Sequence, residues 1–496
     1  MPDIWESLAP AMTPVSTAVA LLVALWASAH AILHKRDVRG AIGWVGVIWL
    51  VPFVGALLYA WLGINRIQRR ALALRQDTEH PGALYPGALI FEAVQFEGGS
   101  SVRPPPFVLG SDRAHLASLI RLGESVTGRP VVGGNHVGPL DNGDEAYPAM
   151  LEAIESAERS IALATYIFEH SRIGRRFADA LIAAHARGVQ VRVLVDDVGV
   201  RYSYPPITAR LRRGGVRVAR FLPAWLPRGL THFNLRNHRK ILVCDGRVAF
   251  TGGMNIRQGH VLADPGRRPV ADLNFRLMGP VVAELQHVFA EDWAFTTREV
   301  LDGEVWFPRL RAAGVVAARV LSDGPDDSLG HLREVFLGAL STAQRSIRIV
   351  TPYFLPDEAL STAIVVAAMR GVEVDVVVPQ HVNLPVVGWA MWAHFGSVLG
   401  HGVRLWQSAP PFDHTKLLVV DGHWALFGSP NWDPRSLRLN FELAVECYDA
   451  ALGVELEDRV QQRIARSRPL TEDTLRHRSL SLRLRDGTAR LLTPYL

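Results

Sequence analysis

Residues 238–255 read HRKILVCDGRVAFTGGMN, and residues 414–431 read HTKLLVVDGHWALFGSPN. Each stretch carries a His, a Lys two places on, an Asp five places further, and then a Gly-led step ending in Asn. In the first these are His238, Lys240, Asp245, Gly252 and Asn255; in the second, His414, Lys416, Asp421, Gly428 and Asn431. One such loose pattern arises by chance, but two copies matching at five spaced positions mark a duplicated unit. The lysines sharpen the point. Of 53 basic residues only Lys35, Lys240 and Lys416 are lysines, and two of those three hold the same place in the two copies.

The spacing has a chemical reading. His and Lys at i and i+2 along an extended chain face the same side, so both reach one bound phosphate. The strands continue through Ile241 to Cys244 and Leu417 to Val420. They meet Asp245-Gly246 and Asp421-Gly422, which are hairpin-turn dipeptides. The return strands, Arg247 to Thr251 and His423 to Phe427, bring Asn255 and Asn431 back beside the His and Lys. By parity each Asp faces away from its His, which suits a structural part within the catalytic motif. Displacement at a phosphodiester needs a nucleophile on one side of phosphorus, an acid for the leaving oxygen on the other, and donors for the equatorial oxygens. One His cannot serve both sides; two copies can.

Outward from these stretches the chain repeats itself. Ala157-Glu158-Arg159-Ser160-Ile161 returns as Ala343-Gln344-Arg345-Ser346-Ile347, and Arg187-Gly188-Val189 returns as Arg370-Gly371-Val372. In each half an amphipathic helix (147–159; 332–345) leads to an apolar strand (160–168; 346–354). A second helix (173–187; 358–370) and an alternating strand (189–195; 372–378) follow. This rhythm predicts two homologous α/β domains with largely parallel sheets, spanning 111–300 and 301–496. The apolar stretch Leu384 to Val398, with Trp389 and Trp392, reads as a core helix or an acyl-chain wall, the spacing of its aromatics favouring the core.

The N-terminus is of another kind. Val15 to Leu33 is mostly apolar, and Ala41 to Gly63 is apolar and uncharged; the second run would span ~34 Å as a helix, against a hydrocarbon core of ~30 Å. Residues 1–70 are therefore expected to form a two-helix transmembrane hairpin with Pro52 inside the second span, followed by a polar connector over 71–110. Orientation is left open, because Arg66, Arg69, Arg70 and Arg75 favour a cytoplasmic catalytic part while Lys35, Arg36 and Arg39 in the turn argue the other way.

The net charge of +5 points to an anionic partner. The hairpin favours a lipid surface. No nucleic acid partner is expected, since no Lys-rich stretch interleaved with aromatics occurs. Cys244 and Cys447 stand far apart in no metal-ligand spacing and read as small apolar strand residues. Neither a metal nor another cofactor is expected.

On these motifs the chain resembles the phospholipase D superfamily with paired HKD motifs, and within it the bacterial cardiolipin synthases. The likeness includes Trp49-Leu50-Val51-Pro52-Phe53-Val54-Gly55, Phe233 to Lys240, Gly252 to Ile256, Asp433 to Glu442, and the closing Arg490 to Leu496. The resemblance implies two phospholipase D-like α/β domains packed as a pseudo-dimer, in a protein of the cytoplasmic (inner) membrane. It implies that His238 attacks phosphorus to give a phosphatidyl-histidine, and that His414 protonates the leaving alcohol and then activates the acceptor. Lys240, Lys416, Asn255 and Asn431 would bind the non-bridging oxygens, with Ser429 helping. Glu442 and Asp272 are the acidic candidates to orient the histidines, although Val270-Ala271-Asp272 stands where the family usually has Trp-Arg-Asp. Gly253 replaces a common Ser. The implied reaction joins two phosphatidylglycerols into cardiolipin and releases glycerol. A phospholipase D hydrolase, a nuclease with the same histidines, and an inactive membrane scaffold are the alternatives, and phosphatidylethanolamine stays open as second lipid.

Overall fold

A computed structural model describes residues 3–35, 38–60, 110–223, 235–266, 268–324 and 329–493, with the side chains of 3–16, 39, 111 and 112 left aside. Outside the described residues lie the connector at 71–109 with residues 104–106, the end of the second apolar run at 61–63, and Arg66, Arg69, Arg70 and Arg75. Arg36 and Asp37 in the turn, His232, Phe233 and Asn234, and residues 494–496 lie outside as well. The chain divides into two units, Met1–Arg70 and Ala71–Leu496.

In the first unit a helix runs over Asp3–His34 and a second over Val38–Leu50. The second apolar run is not one helix: Val51 leaves helical geometry, and Pro52, which has no N–H to give the preceding turn, opens a separate helix, Pro52–Leu58. Among the described residues one helix, over Thr17–His34, is long and apolar enough to cross a membrane. The helices meet through small residues, Ala24, Ala27 and Ala31 against Ile48, Ala56 and Tyr59. A Cβ at Gly55 would lie 2.4 Å from the Val47 carbonyl oxygen, so glycine sets that approach. Leu22, Trp26, Leu33, Ile42, Leu50 and Leu57 point outward, an apolar exterior suited to lipid.

The second unit is built on one fifteen-stranded sheet, ordered β17-β12-β11-β10-β14-β15-β16-β9-β1-β8-β6-β5-β2-β3-β4. The first half supplies β1 (Val132–Asp141), β2 (Ser160–Thr165), β3 (Gln190–Asp196), β4 (Arg217–Phe221), β5 (Ile241–Cys244), β6 (Val248–Gly252) and β8 (Leu273–Met278). The second supplies β9 (Val316–Asp323), β10 (Ser346–Val350), β11 (Glu373–Pro379), β12 (Val403–Ser408), β14 (Leu417–Val420), β15 (Trp424–Gly428) and β16 (Glu442–Tyr448), with β17 (Ser467–Leu470) at the edge. Read outward from the β1/β9 junction, the halves repeat one order. A second ribbon pairs β7 (Val270–Ala271) with β13 (Phe412–Asp413).

Only within β2-β3-β4 and within β10-β11-β12 are paired strands parallel; the remaining pairs of the large sheet are antiparallel. The expectation of largely parallel sheets therefore fails. Its cause is visible in the turns: Asp245 (φ 53°) and Gly246 (φ 62°), then Asp421 (φ 55°) and Gly422 (φ 65°), adopt the left-handed pair that a two-residue hairpin needs. Both faces of these hairpins are covered, so their strands are continuously apolar and imitate parallel ones.

The core joins the halves. The helix Val281–Thr297 is buried almost all round, and one apolar cluster takes side chains from it, from the sheet of both halves, and from the helix Ala450–Ala465. At the seam Phe275 stacks on Phe427 with centroids 3.5 Å apart. Asn135 fills the irregular β1/β9 step: its Nδ2 donates to Val132 O (2.7 Å) and Val316 O (3.1 Å), and its Oδ1 accepts from Val281 N (2.8 Å). Cys244 and Cys447 are buried and free, as strand residues.

Candidate active site

Each motif histidine stands just before its strand, on backbone pinned to the other half. Asn237 bridges Phe441, and His238 N donates to Phe441 O at 2.9 Å; Asp413 pairs with Ala271, and His414 N donates to Ala271 O at 2.7 Å. The residue after each of these partners is acidic. His238 Nδ1 therefore meets Glu442 at 3.0 Å, and His414 Nδ1 meets Asp272 at 2.9 Å. The pairs are crossed, because each histidine is held by a carboxylate of the opposite half. With Nδ1–H donating to carboxylate, each imidazole leaves Nε2 as its reactive nitrogen. The histidine side chains are 13% and 12% exposed and their carboxylates 0%, so only a ring edge opens outward.

Burial, with the two nearby ammonium groups, pushes His238 down to about 4, against the pull of Glu442. His414 is driven well below its ordinary value by burial, Lys416, Lys240 and His238. The crossed carboxylate and backbone bonds tie the two motifs to each other. Burial pushes Glu442 upward, but His238 and Lys240 more than offset it and hold the carboxyl below its usual range. Asp272 is raised by burial, with Lys416 working against it.

Lys240 Nζ donates to His238 O at 2.5 Å, and Lys416 Nζ donates to His414 O at 2.7 Å. One of three donors is used in each, and the rest remain for an anion. Burial lowers Lys240 to about 7 and Lys416 to about 8. Two such lysines side by side repel each other, and a bound phosphodiester would relieve that repulsion.

The other expected residues take distinct places. Asn255 is fixed by its Oδ1, which accepts from Ile167 N at 3.0 Å, leaving its NH2 group for a ligand. Asn431 Nδ2 donates to Ser436 Oγ at 3.2 Å while its buried Oδ1 has no hydrogen-bond partner. A half-turn of that amide would let Oδ1 accept from Ser436 and present Nδ2. Ser429 is committed elsewhere than to a phosphate: its hydroxyl donates to Glu442 Oε2 and accepts from Leu443 N (3.0 Å). Asn440 Nδ2 adds a third bond to Glu442, at 3.0 Å. Asp245 and Asp421 do not face the histidines. Asp245 accepts from the amides of Glu158, Arg159 and Ser160 (3.0, 2.7 and 3.0 Å), and Asp421 from those of Gln344, Arg345 and Ser346 (3.0, 2.7 and 2.8 Å) and from His115 Nε2 (2.9 Å).

At Gly253, the counterpart of Ser429, a Cβ would lie 2.5 Å from Asp272 Oδ1. The shorter acid sits closer to the backbone, so Gly with Asp and Ser with Glu are two solutions to one packing problem.

Several supporting residues escaped the motif reading. Arg239, 1% exposed, donates to Glu442 O (3.0 Å), Asp323 O (3.1 Å) and Asp292 Oδ1 (2.7 Å), while Asn237 Nδ2 binds Asp292 Oδ2 (2.9 Å). In the second half Arg463 Nε donates to Asp413 Oδ2 at 3.0 Å, so the pair is kept with its charges exchanged between strand and helix. Tyr166 presents its ring edge-on to His238, centroids 5.4 Å apart. An Arg between two motif residues, just ahead of a buried strand, was the available signal for the first.

Comparison with known proteins fits this geometry. The model of the "Cardiolipin synthase, PLD-like domain" family matches residues 150–293 and 336–465, one match over each half. A cardiolipin synthase of Geobacillus sp. (strain WCH70) is 30% identical over 466 residues, covering 94% of this chain and 90% of that one. Cardiolipin synthase A of Pseudomonas entomophila (strain L48) is 31% identical over 485 residues, covering 96% of each. The chain belongs to the cardiolipin synthase family of the phospholipase D superfamily. Family membership thus extends past the catalytic unit, and residues 22–63 match the "Phospholipase_D-nuclease N-terminal" model. The fold is shared more widely: a crystal structure of phosphatidylserine synthase from Haemophilus influenzae Rd KW20 superposes with a TM-score of 0.58 at 16% identity, covering 76% of this chain and all of that one. As in the family, the substrates are phospholipids, and the apolar N-terminal helix is compatible with a membrane protein.

Proposed function

We propose that the protein joins two phosphatidylglycerols into cardiolipin and glycerol through a phosphatidyl-histidine. His238 Nε2 forms a bond to phosphorus as the bond to the departing glycerol oxygen breaks, and His414 gives that oxygen its proton. A hydroxyl of the second phosphatidylglycerol then gives its proton to His414 and attacks phosphorus, releasing His238. The crossed pairs carry this reading: both imidazoles are neutral and carboxylate-oriented, so each keeps Nε2 for the reaction. His414 must gain a proton to act as acid, and an arriving anion offsets Lys240 and Lys416 enough to favour that. The two ammonium groups, Asn255 and Asn431 would then hold the non-bridging oxygens.

Residues 111–300 and 301–496 would be the two domains of the pseudo-dimer. Two membrane helices at the N-terminus would hold the catalytic unit on the cytoplasmic side, with Arg66, Arg69, Arg70 and Arg75 as the retained charges. An attached bilayer brings the acceptor hydroxyl to high effective concentration beside the intermediate, which favours transfer over hydrolysis.

Purified protein given phosphatidylglycerol alone, with products read by mass spectrometry, tests the reading. Cardiolipin with an equal amount of glycerol is expected; phosphatidic acid as dominant product would establish the hydrolase instead.

A further inference from the structure

The terminal helix Leu480–Leu491 packs against the helix Pro385–Phe395 and shows the solvent an unusual side. Ser479 caps it, accepting from Leu482 N. Its inner side is set by Asp486 and Ala489, both buried. Asp486 receives Arg478 and Arg485, and these guanidinium groups lie over Trp392 and Trp389, 3.9 and 4.8 Å from the ring centroids. On the outer side Leu480, Leu484 and Leu491 follow one another at i, i+4 and i+11, with exposures of 69%, 62% and 77%. Gly487 lies in the same stripe with open space where a Cβ would stand.

A helix that is buried on one side ordinarily turns charge toward water on the other. Single exposed leucines need no explanation, but a stripe of them does. Arg483 and Arg490, both exposed, flank the stripe, while Arg485 and the acid Asp486 are turned to the inner side. Leucines on the outer side with arginines beside them match the pattern of helices that lie in a membrane surface. The helix beneath this one is reached from the site by a chain of contacts. Tyr353 Oη donates to Asn383 Oδ1 (2.6 Å) just before the helix Pro385–Phe395, the Tyr353 ring neighbours Phe412 (6.5 Å), and Phe412 neighbours His414 (5.9 Å).

We infer that this face docks on an anionic bilayer, with Leu480, Leu484 and Leu491 entering the acyl boundary and the arginines meeting lipid phosphates. A tether holds a catalytic unit near a membrane without choosing which side of it faces the lipid; a leucine stripe on one side of that unit makes the choice. The inference goes beyond the transfer reaction and does not depend on it.

The test uses full-length protein carrying Leu484→Cys or Leu491→Cys labelled with an environment-sensitive fluorophore, with Val315→Cys, exposed at 84%, as reference. The native Cys244 and Cys447 are buried and take no label. Protein is reconstituted in vesicles of phosphatidylcholine alone or of equal parts phosphatidylcholine and phosphatidylserine. The labels at 484 and 491 are expected to shift to shorter wavelength and to be quenched severalfold by brominated lipid, more strongly with phosphatidylserine, while 315 stays water-like. Labels at 484 and 491 that match 315 in both lipids would overturn the docking face. An equal shift in both lipids would overturn its anionic preference, and a shift in detergent that grows with protein concentration would assign the face to a second copy. In a second arm Leu484→Gln/Leu491→Gln is expected to need severalfold more bilayer substrate for half-maximal rate while keeping its rate on detergent-dispersed substrate. Equal loss on both would contradict a docking role.

Discussion

At the scale of residues the crossed pairs make the sharpest claim, because a substitution in one half should disable the histidine of the other. Glu442→Gln keeps a polar group but removes the charge that fixes the His238 tautomer; the analogous loss in a serine protease costs roughly 10⁴-fold in turnover. Covalent labelling of His238 is expected to fall by about that order. Asp272→Asn is expected to leave labelling intact with a substrate whose leaving group needs no proton, and to slow turnover of natural lipid. Single-turnover labelling separates the two, and normal labelling of Glu442→Gln would remove the proposed role of that pair. The lysines set a second expectation. Lys240, lowered by burial to about 7, and Lys416, lowered to about 8, hold a phosphate only when protonated. In the free enzyme kcat/KM should therefore decline as pH rises through 7 to 8, whereas kcat should hold to higher pH because the bound anion raises both lysines. Their effect on stability has the opposite sign. The unfolded lysines keep their protons up to about 10.5, so between pH 7 and that value the unfolded state binds more protons and folding gains as pH rises. A kcat/KM that is flat from pH 6 to 9 would contradict the assignment.

The elements show which parts of the fold could be read early and which could not. The His-to-Asn hairpins were legible because Asp-Gly fixes a turn and apolar strands flank it. β5 and β14 lie over the residues expected, Ile241–Cys244 and Leu417–Val420. Parity also sent the motif aspartates away from the histidines, and each does bind three backbone amides across the turn. Asp245→Ala would strand those amides and is expected to cost about 2–3 kcal/mol of stability, with activity recovering at lower temperature. Thermal unfolding alongside assays at two temperatures checks this; full stability with lost activity would make Asp245 a reacting group. Strand direction was legible inside these hairpins but not where they join the sheet, since nothing local shows that β5 and β14 pair antiparallel with β2 and β10. The break at Val51–Pro52 was hidden for a related reason: apolar composition continues across it while the backbone does not. Arg239 with Asp292, and Asp413 with Arg463, were hidden because partners 53 and 50 residues apart carry no local signal.

For the whole molecule the relevant fact is that neither half holds a complete site. The sheet runs through both, the large apolar cluster draws on both, and each imidazole is bound to the other half's carboxylate. The sequence announced a duplication but not the crossing, which needs the β7/β13 ribbon and the Asn237/Phe441 bridge to be seen. Residues 1–300 and 301–496 made separately are therefore expected to show no labelling, and to regain it when produced together. Labelling of residues 1–300 alone would mean that Glu442 is dispensable to His238. The most direct single measurement is to quench the enzyme during turnover of phosphatidylglycerol and map the phosphatidyl adduct by peptide mass spectrometry. The expected result is an adduct on His238 that disappears when acceptor lipid is chased in and cardiolipin forms; an adduct on His414, or none on either histidine at rates of turnover that demand one, would contradict the account.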